Sequence, residues 1–340
     1  MKYKHIVIPR FGGAENLSLA EDELLEPRAN EVRVKMLAAG VSFADILMRK
    51  GVHPESWNLG RIPFTPGWDV VGIVDKLGDN VSTWQTGQMV AALPIVGGYS
   101  EYIILSPDEL VPVPLGLDHA EAVSLVLNYV TAYQMLYRCA RINAGESILI
   151  NGGAAGGVGT ALLQLGKLAG LKKMYGTTSK EKHDIVSNLA GFPIDYKSVD
   201  LVQEIIKATS HGDEGERGVD AVFDGIGGKS LKASYEILRN GGRLVAYGGT
   251  PTTDLEDWLM MLTLNLVPDN RTFMLYSIQT LKRLKPDWFH EDLILLLNLL
   301  KQGKIKPIIS ARMRLNQAAQ AHELLTGGSI TGKIVLICND

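Results

Sequence analysis

Cysteine is scarce in this chain. It occurs only twice in 340 residues, at Cys139 and Cys338, and the seven histidines are scattered. Two distant cysteines argue against a disulfide framework and a four-cysteine zinc site, both of which need clustered thiols. The expectation is a reducing, cytoplasmic setting. No sign of charge dominates: 34 Lys and Arg stand against 37 Asp and Glu, a formal net charge of −3. Without a basic cluster the chain has no electrostatic footprint for nucleic acid. The strongest apolar runs, Trp258–Val267 and Leu293–Leu300, are too short to span a bilayer. The segment Met1-Lys-Tyr-Lys-His-Ile-Val-Ile-Pro9 lacks the apolar core of a signal peptide and reads as a strand. Internal repeats and low-complexity tracts are also missing. What remains, 46% hydrophobic and 21% charged, is a globular composition at a length that suits two domains.

The most informative stretch is Ser147-Ile-Leu-Ile-Asn-Gly-Gly-Ala-Ala-Gly-Gly-Val-Gly159, which runs into Thr160-Ala-Leu-Leu-Gln-Leu-Gly-Lys-Leu-Ala169. An apolar run that breaks into glycines and then opens a helix is a strand–turn–helix. Its helix N-terminus offers unpaired N–H groups and a positive dipole end to a pyrophosphate. Gly156, Gly157 and Gly159 let backbone approach phosphates and let the helix pack on the strand. Ala155 and Val158 complete the turn as candidate cofactor contacts.

Residues 1 to about 120 carry short β-rich segments punctuated by Gly and Pro, such as 31–37, 70–76 and 102–105, and predict a mostly β domain. From about 121 apolar strands alternate with helices, the rhythm of a doubly wound parallel sheet covered on both faces. Strands are expected at 147–151, 173–177, 193–195, 219–224, 243–247 and 271–277, with helices near 158–169, 181–190, 201–208 and 230–238. The ligand of such a fold sits at the carboxyl ends of its strands. Further helices are expected at 291–302 and 318–325, and a strand at 333–337.

An acid about 20 residues past the glycines would hold a ribose diol. None stands at the strand end here. Tyr175-Gly-Thr-Thr-Ser-Lys-Glu-Lys182 offers the hydroxyls of Thr178 and Ser179 and the cations of Lys180 and Lys182 instead. That set suits a 2′-phosphate and favours NADP over NAD. Ser179 also fits a plain helix cap, and Glu181 a plain first-turn acid.

These features resemble the zinc-free quinone oxidoreductase branch of the medium-chain dehydrogenase/reductase superfamily. The resemblance is carried by Ala39-Gly-Val-Ser-Phe-Ala-Asp-Ile-Leu-Met-Arg-Lys-Gly51, Pro63-Phe-Thr-Pro-Gly-Trp-Asp-Val-Val-Gly-Ile-Val74 and Leu127-Asn-Tyr-Val-Thr-Ala-Tyr133. The glycine turn, Pro193-Ile-Asp-Tyr196, Gly218-Val-Asp-Ala-Val-Phe-Asp-Gly-Ile-Gly-Gly228 and Gly332-Lys-Ile-Val-Leu336 extend it over nearly the whole chain. It implies a GroES-like catalytic domain of residues 1–121 and 279–340, a Rossmann domain of residues 122–278, and an active site in the cleft between them. It also implies a homodimer paired along the strand near Phe273–Ser277, an edge that would otherwise be exposed.

Zinc-dependent relatives place a cysteine near 42–45 and a Gly-His-Glu at 67–69. This chain has Ser42 and Asp45, then Trp68 and Asp69, so no zinc is expected. Hydride transfer without a Lewis acid needs an acceptor already activated by conjugation, such as a quinone or enone. By family position, Asn128 and Ser42 are the candidate catalytic residues, and Asn128 also fits a helix cap. Thr131, Tyr196, Lys182, Ile226, Gly248, Gly249 and Lys333 are the further candidate cofactor contacts. Trp57, Trp258, Met260, Met261, Phe273 and Tyr276 could line an apolar substrate pocket. His53 reads as a loop histidine with some prospect of touching substrate, and Asp45 as the partner of Arg49 one turn on. Leu47 stands where some relatives place a tyrosine, which removes that proton donor. The expected activity is NADPH-dependent reduction of a small quinone, enone or enal, with no nucleic acid or membrane partner. The alternatives are an enoyl-thioester reductase, with Lys282, Arg283 and Lys285 at its entrance, and an NADPH-binding protein with little turnover.

Overall fold

The computed structural model describes residues 1–58, 62–210, 217–248, 263 and 270–338. The chain forms two compact units, one of residues 1–130 and 287–340, the other of residues 131–286.

The second unit holds a six-stranded sheet, every neighbouring pair parallel. Its order is Phe192–Asp195, Lys173–Thr178, Ser147–Asn151, Val219–Asp224, Leu238–Tyr247, Thr272–Tyr276. The central strand segments Ile148–Ile150 and Ala221–Phe223 are buried on both faces, so they read as continuous apolar runs rather than alternating ones. Helices Gly157–Leu168, His183–Asn188, Leu201–Thr209 and Ser230–Glu236 connect the strands. The expected helix at 181–190 is a short 3-10 turn, Lys180–Lys182, followed by the helix proper. The helix expected to run to 238 stops at Glu236, because Leu238 already pairs with Val219 in the sheet. Strand ends at Asn151, Thr178, Asp224 and Tyr247 therefore share one edge of the unit, where the glycine turn also lies.

The first unit is built on a seven-stranded mixed sheet. Ile309–Arg314, Lys333–Ile337, Val32–Val41, Val70–Leu77, Met89–Ala92 and Val111–Pro112 follow in order, and Tyr102–Leu105 pairs with the long strand Val32–Val41. A separate hairpin joins Lys2–Val7 to Ser18–Glu23. Val34, Met36, Val70, Val90, Tyr99, Ile334 and Leu336 form the core under the sheet. The segments before and after the second unit thus share one core, and the strand expected at 333–337 takes its place beside 38–41. The helix Pro286–Lys301 starts five residues before the expected 291, since Pro286 is pre-set for a first helical turn.

A continuous run of helical turns begins at Asp118, whose carboxylate accepts from the Ala120 and Glu121 amides at 3.0 and 2.9 Å. It widens into π-helical turns at Leu125–Tyr129 and Gln134–Cys139. No helix among the described residues is long and apolar enough to cross a membrane.

Candidate active site

At the carboxyl edge of the parallel sheet the chain leaves Asn151 through Gly152 and Gly153, both left-handed at φ +90° and +74°. A residue with a Cβ would be strained at either. Gly156 is extended, and the helix starts at Gly157 with no side chain capping it, so its first N–H groups remain available. At Gly159 a Cβ would fall 2.2 Å from the Gly153 carbonyl oxygen and 2.5 Å from Ala154 Cα. Glycine there lets the helix close onto the turn. Ala155 is buried within this turn, and Val158 stands in the first helical turn.

The other expected cofactor residues gather on the same edge. Thr178 ends its strand buried, Ser179 follows it, and Lys182 is half-buried, with burial lowering its ammonium pKa. Ser179 does not cap the helix after it. The Glu181 carboxyl is held below its usual range first by its own backbone amide and then by Ser179. Tyr196 is 56% exposed, with Lys197 Nζ 5.8 Å from its ring centroid. Ile226 leans over Gly152, where a Cβ would lie 2.6 Å from Ile226 Cγ1. Gly248 follows the fifth strand at φ +59°.

Beneath the turn lies a polar network that sequence reasoning missed. The buried Asp224 carboxylate accepts from five donors: the Ile226 and Gly227 amides at 2.8 and 2.9 Å, Ser230 and Ser234 hydroxyls at 2.6 Å, and Asn151 Nδ2 at 3.2 Å. Asn151 Oδ1 in turn accepts from Thr177 Oγ1 at 3.2 Å, and Thr177 Oγ1 accepts from the Gly152 amide at 2.7 Å. Three strand ends are so tied to the first glycine. The signal was a polar residue closing each of two apolar strands, Asn151 and Asp224.

In the first unit, Ser42 is the N-cap of helix Phe43–Arg49 and forms a reciprocal capping box with Asp45. The Asp45 carboxyl, fully buried, accepts from the Ser42 amide at 2.8 Å, the Ser42 hydroxyl at 2.6 Å and the Gly67 amide at 3.1 Å. The expected Asp45–Arg49 ion pair does not form. Asp45 sits at N3, so its side chain turns back to the helix start, and the buried Arg49 Nε and Nη1 have no hydrogen-bond partner. The pattern Ser-x-x-Asp was the signal for this. Burial first, then the Asp69 charge, raise the Asp45 carboxyl against its Ser42 hydrogen bonds, pushing it up to about 7.

Asp69 is fully buried, and Lys333 Nζ lies 2.8 Å from its Oδ2. Burial raises the Asp69 pKa while Lys333 opposes the shift. Gly40 makes room for this pair, since a Cβ there would meet Asp69 Oδ2 at 2.2 Å and Lys333 Cε at 2.4 Å. Lys333, expected at the cofactor, thus already has its charge matched inside its own unit.

Asn128 is not a helix cap. It sits in the π-helical turn Leu125–Tyr129, buried like Thr131 three residues on. Such widened turns occur often at functional sites, because they re-aim side chains out of the regular helical register. His53 accepts at Nδ1 from the Glu55 amide at 3.1 Å and packs edge-on against Trp68, with ring centroids 5.1 Å apart. Burial lowers its pKa. The neutral ring therefore carries its proton on Nε2.

Of the apolar pocket candidates, Trp57 lies on helix Pro54–Asn58, while Trp258, Met260 and Met261, like Gly249 among the cofactor residues, lie outside the described residues. Phe273 packs in the sheet core with Tyr235, Ile237 and Leu244. Its strand start borders an open hollow of about 640 Å³ with Arg138, Arg141 and Arg243, at the sheet end opposite the glycine turn. Tyr276 donates its hydroxyl to Gln134 Oε1 at 2.7 Å. The structure therefore does not gather Phe273 with the glycine-turn residues.

Two family descriptions match the chain: an alcohol dehydrogenase GroES-like domain over residues 28–115 and a zinc-binding dehydrogenase over residues 190–336. The quinone oxidoreductase of Mus musculus is 31% identical over 331 residues, spanning 96% of this chain and 95% of its own. The Escherichia coli quinone oxidoreductase solved in complex with NADPH matches with a TM-score of 0.86 at 25% identity, over 98% of this chain and 99% of that one. The CurK enoyl reductase matches with a TM-score of 0.86 at 25% identity, over 99% of each chain.

Proposed function

The chain belongs to the quinone oxidoreductase branch of the medium-chain dehydrogenase/reductase superfamily, and from that premise we propose that it is an NADPH-dependent reductase of quinones and conjugated carbonyls that needs no zinc. The observation that carries the cofactor choice is the second strand end. No acid stands there, and Thr178, Ser179, Lys182 and Tyr196, which end or follow neighbouring strands, are the residues we assign to a 2′-phosphate. Lys180 adds a second cation. The residues fit a dinucleotide: the uncapped helix start at Gly157 suits the pyrophosphate, and Ile226 beside Gly152 suits its adenosine half. A solved relative bound to NADPH supports the same assignment.

The donor chemistry does not fit catalytic zinc. Ser42 and Trp68 replace thiolate and imidazole, Asp69 is committed to Lys333, and Asp45 is committed to three donors. Among the described residues no three metal-binding side chains cluster. Bound NADPH supplies a hydride, which suits an acceptor whose conjugation carries the electron pair to oxygen. Asn128 is the residue we assign to that oxygen, as an amide donor that stabilises developing negative charge, with Ser42 as the second candidate catalytic residue. Thr131 is the residue we assign to orienting the cofactor. The same reading pairs two copies along the edge strand Thr272–Tyr276, on which Leu275 is 65% exposed.

An enoyl-thioester reductase is the second reading, favoured by the likeness to CurK. Initial rates with NADPH and NADH against quinones, enals, enones and an enoyl thioester, with and without chelator, separate the two. Chelator-insensitive, NADPH-specific turnover of quinone or enone is expected; turnover of the thioester alone transfers the assignment to the second reading. Ser179→Ala with Lys182→Ala is expected to weaken NADPH binding at least tenfold more than NADH binding, about 1.4 kcal/mol of selectivity. An equal loss for both cofactors overturns the 2′-phosphate site.

A further inference from the structure

Reduction of a conjugated carbonyl needs a proton as well as a hydride, and the buried Leu47 on the helix that Ser42 caps offers none. Within the first unit, however, four buried side chains form a contiguous chain of polar groups. Ser42 Oγ lies 2.6 Å from Asp45 Oδ2, the Asp45 carboxyl faces the Tyr99 phenol and raises its pKa, and Tyr99 Oη lies 3.1 Å from His322 Nε2. All four are less than 9% exposed. A 2.6 Å oxygen–oxygen contact serves a proton in either direction: an ionised Asp45 accepts from Ser42, and a protonated Asp45 donates to it and frees the hydroxyl.

We propose that Ser42 delivers the proton that completes enone reduction and that Asp45, acting through Ser42 as a positioning and relay residue, supplies it; this rests on the reductase reading above. Hydride from NADPH bonds to the β-carbon, and the C=C electron pair moves to the oxygen as an enolate. The Ser42 O–H bond breaks, its proton bonds to the α-carbon, and the Asp45 carboxylic proton passes to Ser42 Oγ. Asp45 is left as a carboxylate until a proton from water restores the acid.

The surroundings decide which member of the chain changes charge. Burial first holds the Tyr99 phenol well above its ordinary value, with Asp45 and Asp69 adding to the shift, and burial drives the His322 imidazole down to about 3. Asp45 alone sits near neutrality, at about 7. It is faced by Asp69 from the loop before strand Val70–Leu77, by Lys333 from its strand and by Tyr99, while Arg49 on its own helix makes no ion pair with it.

The test compares kcat against pH for an enone and a quinone. A quinone ends as an oxyanion that water protonates, so it has less need of the relay. Wild-type enone kcat is expected to fall about tenfold per pH unit above pH 7, as the acid form is lost. Asp45→Asn and Ser42→Ala are each expected to flatten that limb and to lower enone kcat about a hundredfold, at least tenfold more than quinone kcat. A wild-type pH profile retained in Asp45→Asn, or equal losses on both substrates, overturns the relay. Infrared spectra of the cofactor-free protein supply a readout independent of turnover. A buried protonated carboxyl band below pH 7, absent from Asp45→Asn, supports the relay; a band unchanged by the substitution overturns it. Failure of the wild type on every acceptor counts against the reductase reading instead, and the infrared result still stands or falls alone.

Discussion

The two units each bury a carboxylate beside a helix, and they treat it in opposite ways. Asp224 in the second unit is gripped by five donors on both oxygens, drawn from three segments around the glycine turn. Asp45 in the first unit has fewer donors and a second buried acid nearby, and it is pushed up to about 7. Both groups are equally dry, and they differ in the number of donors that hold them. A carboxylate meant as a strut is surrounded by N–H and O–H groups. One suited to exchanging a proton is left with a competing charge.

Substitutions can break this contrast at either end. The largest effect is expected from Asp224→Ala, which would strand five donors at once and cost roughly 3–5 kcal/mol, read by denaturant unfolding. A loss under about 1 kcal/mol would mean that Asp224 is no strut. Next comes Gly159→Val, whose side chain would collide with the Gly153 carbonyl. The turn must shift, costing roughly 1–3 kcal/mol, and NADPH affinity by calorimetry should fall more than tenfold while the first unit keeps its stability.

Stability against pH sharpens the comparison within the first unit. The Asp45 pKa rises on folding from 3.8 to about 7, so its contribution is complete below about pH 4 and is lost as pH rises through about 7. The His322 pKa falls from 6.5 to about 3, so its contribution is complete above about pH 6.5 and is lost as pH falls toward 3. The two slopes oppose each other between about pH 4 and 6.5, each at most about 1.4 kcal/mol per pH unit. Asp45→Asn should therefore leave stability rising with pH across that window, and His322→Gln should leave it falling. Thermal unfolding at several pH values reads both, and a pair of unchanged slopes would refute the assignment. The smallest effect on folding is expected from Leu275→Lys. Subunit stability should move by less than about 0.5 kcal/mol, while sedimentation should show the proposed pairing of two copies in the wild type and its loss in the variant.

Much of this molecule was readable along the chain. The strands at 147–151 and 219–224 lie where their apolar runs begin and end, because buried parallel strands cannot hide polar residues except at their tips. The glycine turn was equally legible, although its left-handed residues, Gly152 and Gly153, stand ahead of the glycines first singled out. Asp45 was misread. Its spacing to Arg49 suits an ion pair on a helix face, but its place at N3 sends the carboxyl to the helix start instead. Asn128 was weighed as a cap, yet the helical run opens ten residues earlier at Asp118. Phe273 looked like a pocket residue and is core, because a parallel edge strand still has one face against its own helices.

The sequence alone determined the alternation of strand and helix, the glycine turn and the absence of an acid at the second strand end. Those depend on residues near one another along the chain, where backbone sterics and periodicity act directly. Only the tertiary structure decided that Lys333 meets Asp69 across Gly40, that Tyr99 meets His322, and that Asn151 and Asp224 join under one turn. These contacts join segments as far as 264 residues apart (333 − 69). Buried polar groups must find partners wherever the fold brings donors and acceptors together, and no local pattern encodes which partner that will be.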